Sequence, residues 1–125
     1  MNYLIVFLGA GIGGALRHGV NTLVPRLLGS AFPWSTLAVN IVGSLAMGLI
    51  AGYFAFKGEA SQAWRLFLTT GILGGFTTFS AFSLDTALLY DRGATAPLLF
   101  YVAGSVLLSI LAVFLGLAVM KLNGQ

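Results

Sequence analysis

The stretch Gly71-Ile-Leu-Gly-Gly-Phe-Thr-Thr-Phe-Ser-Ala-Phe82 decides how this chain is read. It lies inside a long apolar segment. Yet it carries three glycines, the adjacent pair Thr77-Thr78 and Ser80, with phenylalanines at 76, 79 and 82. Gly74-Gly75 in mid-membrane can release a helix from its regular path. Thr77 and Thr78, β-branched and hydroxylated, can then satisfy freed backbone groups. Irregular backbone at membrane depth is tolerated only where it is buried in protein or lines a cavity. Carbonyl oxygens freed there are ligands for a hard cation. The ring edges of Phe76, Phe79 and Phe82 carry positive charge and can face an anion, with Ser80 and Ser83 interleaved between them.

The rest of the chain is built for lipid. Of 125 residues, 58% are hydrophobic and 7% charged, against about 25% charged in soluble domains. The mean hydropathy is +0.99. Four segments are long enough for the roughly 20 apolar residues a spanning helix needs. They cover about 3–24, ending at Pro25, then 33–56, 62–90 and 97–122. The connections are short, so residues 1–125 read as one four-span transmembrane domain with both termini on one side. The start, MNYLIVFLGAGIGG, has no basic leader region and reads as a retained first span. The 17 glycines, with Gly9/Gly13, Gly48/Gly52 and Gly71/Gly75 at small-xxx-small spacing, favour close helix packing.

Charge gives no orientation bias. Lys57, Arg65 and Lys121 fall on the side of the termini, and Arg17, Arg26 and Arg92 on the other. Such balance either is overridden by other signals or permits insertion both ways, and with it an antiparallel homodimer. A transport role also favours an oligomer, because four short helices leave little room for a water-filled path. The net charge of +3 is scattered, so no nucleic-acid surface is expected.

Enzyme chemistry finds no material. His18 is the only histidine, cysteine is absent, and the carboxylates are Glu59 and Asp91 in loops and Asp85 near the end of span three. They assemble neither a nucleophile–base set nor a transition-metal site. Asp85 reads as interfacial, not as a deep proton carrier. The buried polar groups are neutral. Asn40 stands mid-span, with Thr36 one turn before it and Gly43 after it. It serves either as an interhelical hydrogen bond or as a donor facing a pathway. Tyr101, Ser105 and Ser109 recur every four residues in span four, as a polar track or as locally bonded hydroxyls. An ion entering low dielectric faces an idealised cost of roughly 20 kcal/mol. A buried cation and fixed donors offset that for a small, strongly hydrated, hydrogen-bond-accepting anion.

On GGALR (13–17), TLAVNIVGS (36–44) and GGFTTFSAFS (74–83), the chain resembles the small bacterial fluoride channels, the Fluc or CrcB family, across all four spans. The resemblance implies an all-α membrane protein, its third helix broken mid-membrane, as an antiparallel dual-topology homodimer in the cytoplasmic membrane. It implies two fluoride pores, a central structural sodium ion, and passive export of fluoride that entered as HF. Asn40, Phe79 and Phe82 become pore groups, with Tyr101, Ser105 and Ser109 along the track and Thr78 and Ser80 beside it. Arg17 sits at a vestibule, or snorkels to the interface. The carbonyls of Gly74 and Thr77 become sodium ligands. The sequence departs from the family pattern at His18, Leu45, Ala81 and Asp85, where an aromatic, a phenylalanine, a threonine and a glutamate are common. A small multidrug transporter is the alternative, but span one lacks an embedded glutamate. A structural membrane subunit would leave the clustering of Asn40, the TTFS break and the span-four hydroxyls unexplained.

Overall fold

The computed structural model describes residues 1–58 and 61–123, so Glu59 lies outside the described residues. Four helical spans are long and apolar enough to cross a membrane. Helix α1 covers Asn2–Leu28 and runs through Pro25, where the sequence suggested an end. Proline disturbs the turn before it by removing an N–H and crowding the carbonyl four residues back. The turn after it can continue, and the Pro25 carbonyl accepts from Gly29 N at 2.8 Å. The helix stops where Gly29 adopts φ 81°, a conformation open to glycine. Helix α2 covers Trp34–Phe56, with Pro33 in the capping position just before it.

Span three is assembled from four pieces. Helix α3 (Gln62–Arg65) starts at Ser61, whose hydroxyl accepts from Trp64 N at 3.2 Å. It continues as a π-helix over Leu66–Leu73 and a short α4 (Gly74–Phe76). Thr77 and Thr78 are extended, and α5 (Phe79–Asp91) resumes the helix. The break therefore falls at the two threonines and not at Gly74-Gly75. The π segment has no periodic signature in LFLTTGIL, which is apolar on every side. Asp91 closes α5 instead of lying in a loop. Helix α6 covers Thr95–Asn123, with Pro97 in its first turn.

The glycines explain the pairing of spans. Helix α1 packs on the run 62–76, and α2 packs on α6. A Cβ on Gly9 would lie 2.9 Å from the Gly71 Cα, and one on Gly75 would overlap the Ala10 carbonyl. Gly9/Gly13 and Gly71/Gly75 thus face each other as one interlocking seam. On the other side, a Cβ on Gly48 would overlap the Val113 carbonyl, and one on Gly116 would come within 2.6 Å of Leu49 N. Close backbone approach of this kind supplies the dispersion contact that drives helix association in lipid. So Gly74-Gly75 does not weaken the helix: Gly75 serves packing, while Gly74 meets nothing closer than 3.7 Å.

The compact interior lies between α2, α5 and α6. Leu37, Leu89 and Tyr101 are buried together, with Phe32 and Phe82 packed against them. Across the 18-residue apolar stretch of each span, only 11% to 22% of the residues are buried within the chain. The remaining apolar surface is available to lipid or to a second copy.

Candidate functional site at the helix break

Breaking a helix frees carbonyls on one side and N–H groups on the other. The half-helix ends on a last regular turn, and the chain then answers several of the freed groups. The Leu73 carbonyl accepts from both Thr77 N and Thr77 Oγ1, each at 3.0 Å. The Gly75 carbonyl accepts from Arg17 Nε at 3.0 Å. Thr78 acts as the N-cap of α5, its Oγ1 accepting from Ala81 N at 3.1 Å, as hydroxyl caps do. This cap uses only the backbone of residue 81, so alanine there does not disturb it.

Asn40 holds the centre of the break. Its Nδ2 donates to the Thr78 carbonyl at 3.1 Å, and its Oδ1 accepts from Thr78 N at 2.9 Å. An extended residue projects its N–H and C=O to the same side, as in a hydrogen-bonded strand pair. A primary amide is the side chain that can match both. These two bonds also set which way round the amide lies. The interhelical reading of Asn40 is therefore what the structure shows. Its second Nδ2 hydrogen has no acceptor among the described residues, and the residue also borders a cavity.

That cavity is a groove of about 330 Å³ lined by Asn40, Ser44, Thr77, Thr78, Phe79, Phe82, Ser105 and Ser109, with Val106 and Ile110. Seven of the residues singled out from sequence, on three different spans, thus line one surface. Phe79 is 77% exposed and stands 5.6 Å from Phe82, centroid to centroid. Phe82 packs on Tyr101 at 5.2 Å. Phe76 is on the far side of the break from this pair and outside the lining. The hydroxyls of Ser105 and Ser109 are buried without a hydrogen-bond partner among the described residues. Such orphans are uncommon in folded proteins, and here both belong to residues of the groove wall.

Three expected residues sit elsewhere. Ser80 is exposed, its Oγ 3.3 Å from Thr78 Oγ1, and is outside the groove lining. Tyr101 is 0% exposed. It is wedged against Phe82 and Phe32 and donates to Asp85 Oδ2 at 3.0 Å. Arg17 does not reach for the interface through its Nε, which is tied to the break. One participant was missed. Ser44 continues Thr36 and Asn40 at four-residue spacing, and that period was there to be read. Asp85 reads as interfacial, and the structure adds a partner that the sequence does not reveal, the Tyr101 hydroxyl of the facing span.

For a hard cation, one chain offers little at the break beyond neutral backbone oxygen. No cluster of three or more carboxylate, imidazole or thiolate groups exists among the described residues. Gly74 carries no side chain, and a Cβ there would meet nothing closer than the Thr69 carbonyl at 3.7 Å; Thr77 caps the end of the first half-helix. Such a donor set fits a weakly held alkali ion and not a transition metal.

These features define a small multi-pass membrane protein whose polar residues, neutral but for Arg17, gather around a broken helix. The chain belongs to the CrcB-like family: residues 4–117 match the profile described as CrcB-like protein, Camphor Resistance (CrcB). Its relatives include a protein of Rhodopseudomonas palustris (strain BisB5) named fluoride-specific ion channel FluC. It is 62% identical over 121 residues, covering 97% of this chain and 98% of the relative. A protein of Methylobacterium nodulans bearing the same name is 60% identical over 124 residues, 99% of each chain.

Proposed function

We propose that the chain is a fluoride-selective channel that lets fluoride leave the cytoplasm down its electrochemical gradient. The observation that carries the reading is the groove at the break. It combines aromatic edges, an amide and two unpartnered hydroxyls, and no formal charge. Neutral donors suit a small anion that must shed water yet leave again. A cationic side chain in direct contact with the ion would hold it too long. The relatives named as fluoride channels align over nearly the whole chain, which favours this reading over a drug transporter or a structural subunit.

The working unit is an antiparallel homodimer in the bacterial inner membrane, with two pores. Two features support it. The groove is open along one side, and Phe79 projects from the chain into that opening. A second copy in opposite orientation would close each groove and bring its own Phe79 towards the partner's pathway. A sodium ion would be held at the dimer centre by the Gly74 and Thr77 carbonyls of both copies, and would supply positive potential near both paths. The chain's own residues do the rest. Phe79 and Phe82 present ring edges, Asn40 keeps a spare N–H, and Ser105 and Ser109 offer hydroxyls in sequence along α6.

The test is anion efflux from liposomes containing the purified protein, read by fluoride and chloride electrodes in parallel. Fast fluoride loss with little chloride loss is expected. No fluoride loss from folded, reconstituted protein would sink the reading. A second measurement separates the track from packing. Because the Ser105 hydroxyl has no partner to lose, Ser105→Ala is expected to leave thermal stability within about 0.5 kcal/mol. The same change is expected to slow fluoride efflux about tenfold. Unchanged efflux would remove Ser105 from the path.

A further inference from the structure

The motif GGALR sets a packing glycine and an arginine one turn apart on α1, and the structure joins their roles. Gly13 is buried where its missing side chain lets α1 touch the Ile72 carbonyl, and a Cβ there would stand 2.9 Å from Phe76 N. Arg17 lies one turn further along the same face of α1. That position brings its side chain level with the end of the half-helix 62–76. Its Nε then donates to the Gly75 carbonyl at 3.0 Å, one of the carbonyls that the break would leave unpaired. Arg17 is half-buried, as is Gly75.

We propose that Arg17 is a positioning residue for the broken helix, acting through the placement of its Nε–H donor and not through its charge. Two side chains then clamp the break from opposite spans. Arg17 of α1 fixes Gly75 on its near side, and Asn40 of α2 fixes Thr78 on its far side. Only Gly75 to Thr78 lie between the two anchors. Within that interval fall Thr77, one of the proposed cation ligands, and the turn that aims Phe79. Without the Arg17 anchor, the last turn of the half-helix is held at Leu73 and by the α1 seam alone. The Phe76–Thr78 backbone would then be free to unwind or re-form as continuous helix.

Chemistry allows the donor and the charge to be separated. Glutamine carries its amide nitrogen the same number of bonds from Cα as the arginine Nε. Arg17→Gln therefore keeps an N–H at that place and deletes the charge. Arg17→Met keeps similar length and apolar bulk and deletes both. The proposal rests on the channel reading only for its flux readout, so the primary measurement needs no ion. It is amide hydrogen exchange across residues 74–81 in reconstituted wild-type, Arg17→Gln and Arg17→Met proteins. Exchange in Arg17→Gln should match wild type within about threefold, and Arg17→Met should exchange about tenfold faster or more, as expected when a half-buried carbonyl loses its only side-chain donor. Fluoride efflux should follow the same order, with Arg17→Gln retaining most of the flux at both low and high ionic strength.

The opposite pattern overturns the proposal. If Arg17→Gln exchanges as fast as Arg17→Met, the donor does not hold the break. If exchange is normal in Arg17→Gln but flux falls, and falls most at low salt, the residue acts by attracting anions from a distance. If Arg17→Met does not fold, Arg17→Lys takes its place, keeping the charge but lacking a donor at the Nε position; exchange in Arg17→Lys as slow as in Arg17→Gln would overturn the proposal. Absence of fluoride flux in wild type would defeat the channel reading and leave the exchange result standing.

Discussion

Asn40→Asp is expected to abolish fluoride efflux while leaving a protein of nearly the same shape. Aspartate can still accept from Thr78 N, as Oδ1 does now at 2.9 Å. It cannot donate to the Thr78 carbonyl, which Nδ2 reaches at 3.1 Å. A carboxylate oxygen would instead face that carbonyl, two acceptors with no proton between them. A buried acceptor left unpaired costs about 1–3 kcal/mol, so the extended conformation of Thr78 is destabilised. The groove also gains a negative charge on the wall where an anion must pass. Both effects act against conduction, and the second acts even if the backbone holds.

Asn40→Ala separates them. It removes both bonds to Thr78 without adding charge. The cost is about 2–6 kcal/mol for two unpaired backbone groups. Efflux should fall sharply in Asn40→Ala, and thermal stability should fall with it. Asn40→Asp should lose efflux more completely at a smaller loss of stability. The check is fluoride efflux measured beside thermal unfolding for both proteins. Wild-type efflux in Asn40→Asp would count decisively against Asn40 as part of the path.

Most of the architecture was legible because its signals are local. Four apolar stretches bounded by Pro, Gly and charge define the spans, and small residues at four-residue spacing mark the seams. Asn40, Thr78, Phe79, Phe82, Ser105 and Ser109 were visible because polar or aromatic groups stand out in an apolar field. What escaped depends on partners distant in sequence. Gly74-Gly75 reads as a weak point in isolation, yet α1 covers Gly75 and the helix survives there. The break moves to Thr77-Thr78 because Asn40, 38 residues away, offers that backbone an amide to pair with. Asp85 finds its donor in Tyr101, 16 residues on, a pairing that no local pattern shows. The π-helix in LFLTTGIL leaves no trace, since a uniformly apolar run has no period to violate. Arg17 kept two readings because only its neighbour across the seam could supply a third.

Gly13→Val is expected to prevent assembly of the fold, the largest structural effect of any single change considered. A Cβ at this position would overlap the Ile72 carbonyl and come within 2.9 Å of Phe76 N. Both neighbours are backbone, so no rotamer change can relieve the clash. The spans must separate, and separation opens the whole Gly9/Gly71 and Gly13/Gly75 seam at once. Overpacking in a well-filled core typically costs about 1–3 kcal/mol, and two branched methyls against rigid backbone place this case at or above the top of that range. Separation would also carry Arg17 away from Gly75 and loosen the break from its near side. Gly14 supplies the control. It is the next residue in sequence, and a Cβ there meets nothing within 4 Å. Gly14→Ala should therefore fold and unfold like wild type, with a gain of up to about 1 kcal/mol from helix propensity. The comparison is thermal unfolding and yield of monodisperse protein for Gly13→Val, Gly13→Ala and Gly14→Ala. A stable Gly13→Val would mean that α1 and the half-helix can pack at a wider spacing, and the seam would then not be what aligns Arg17 with the break.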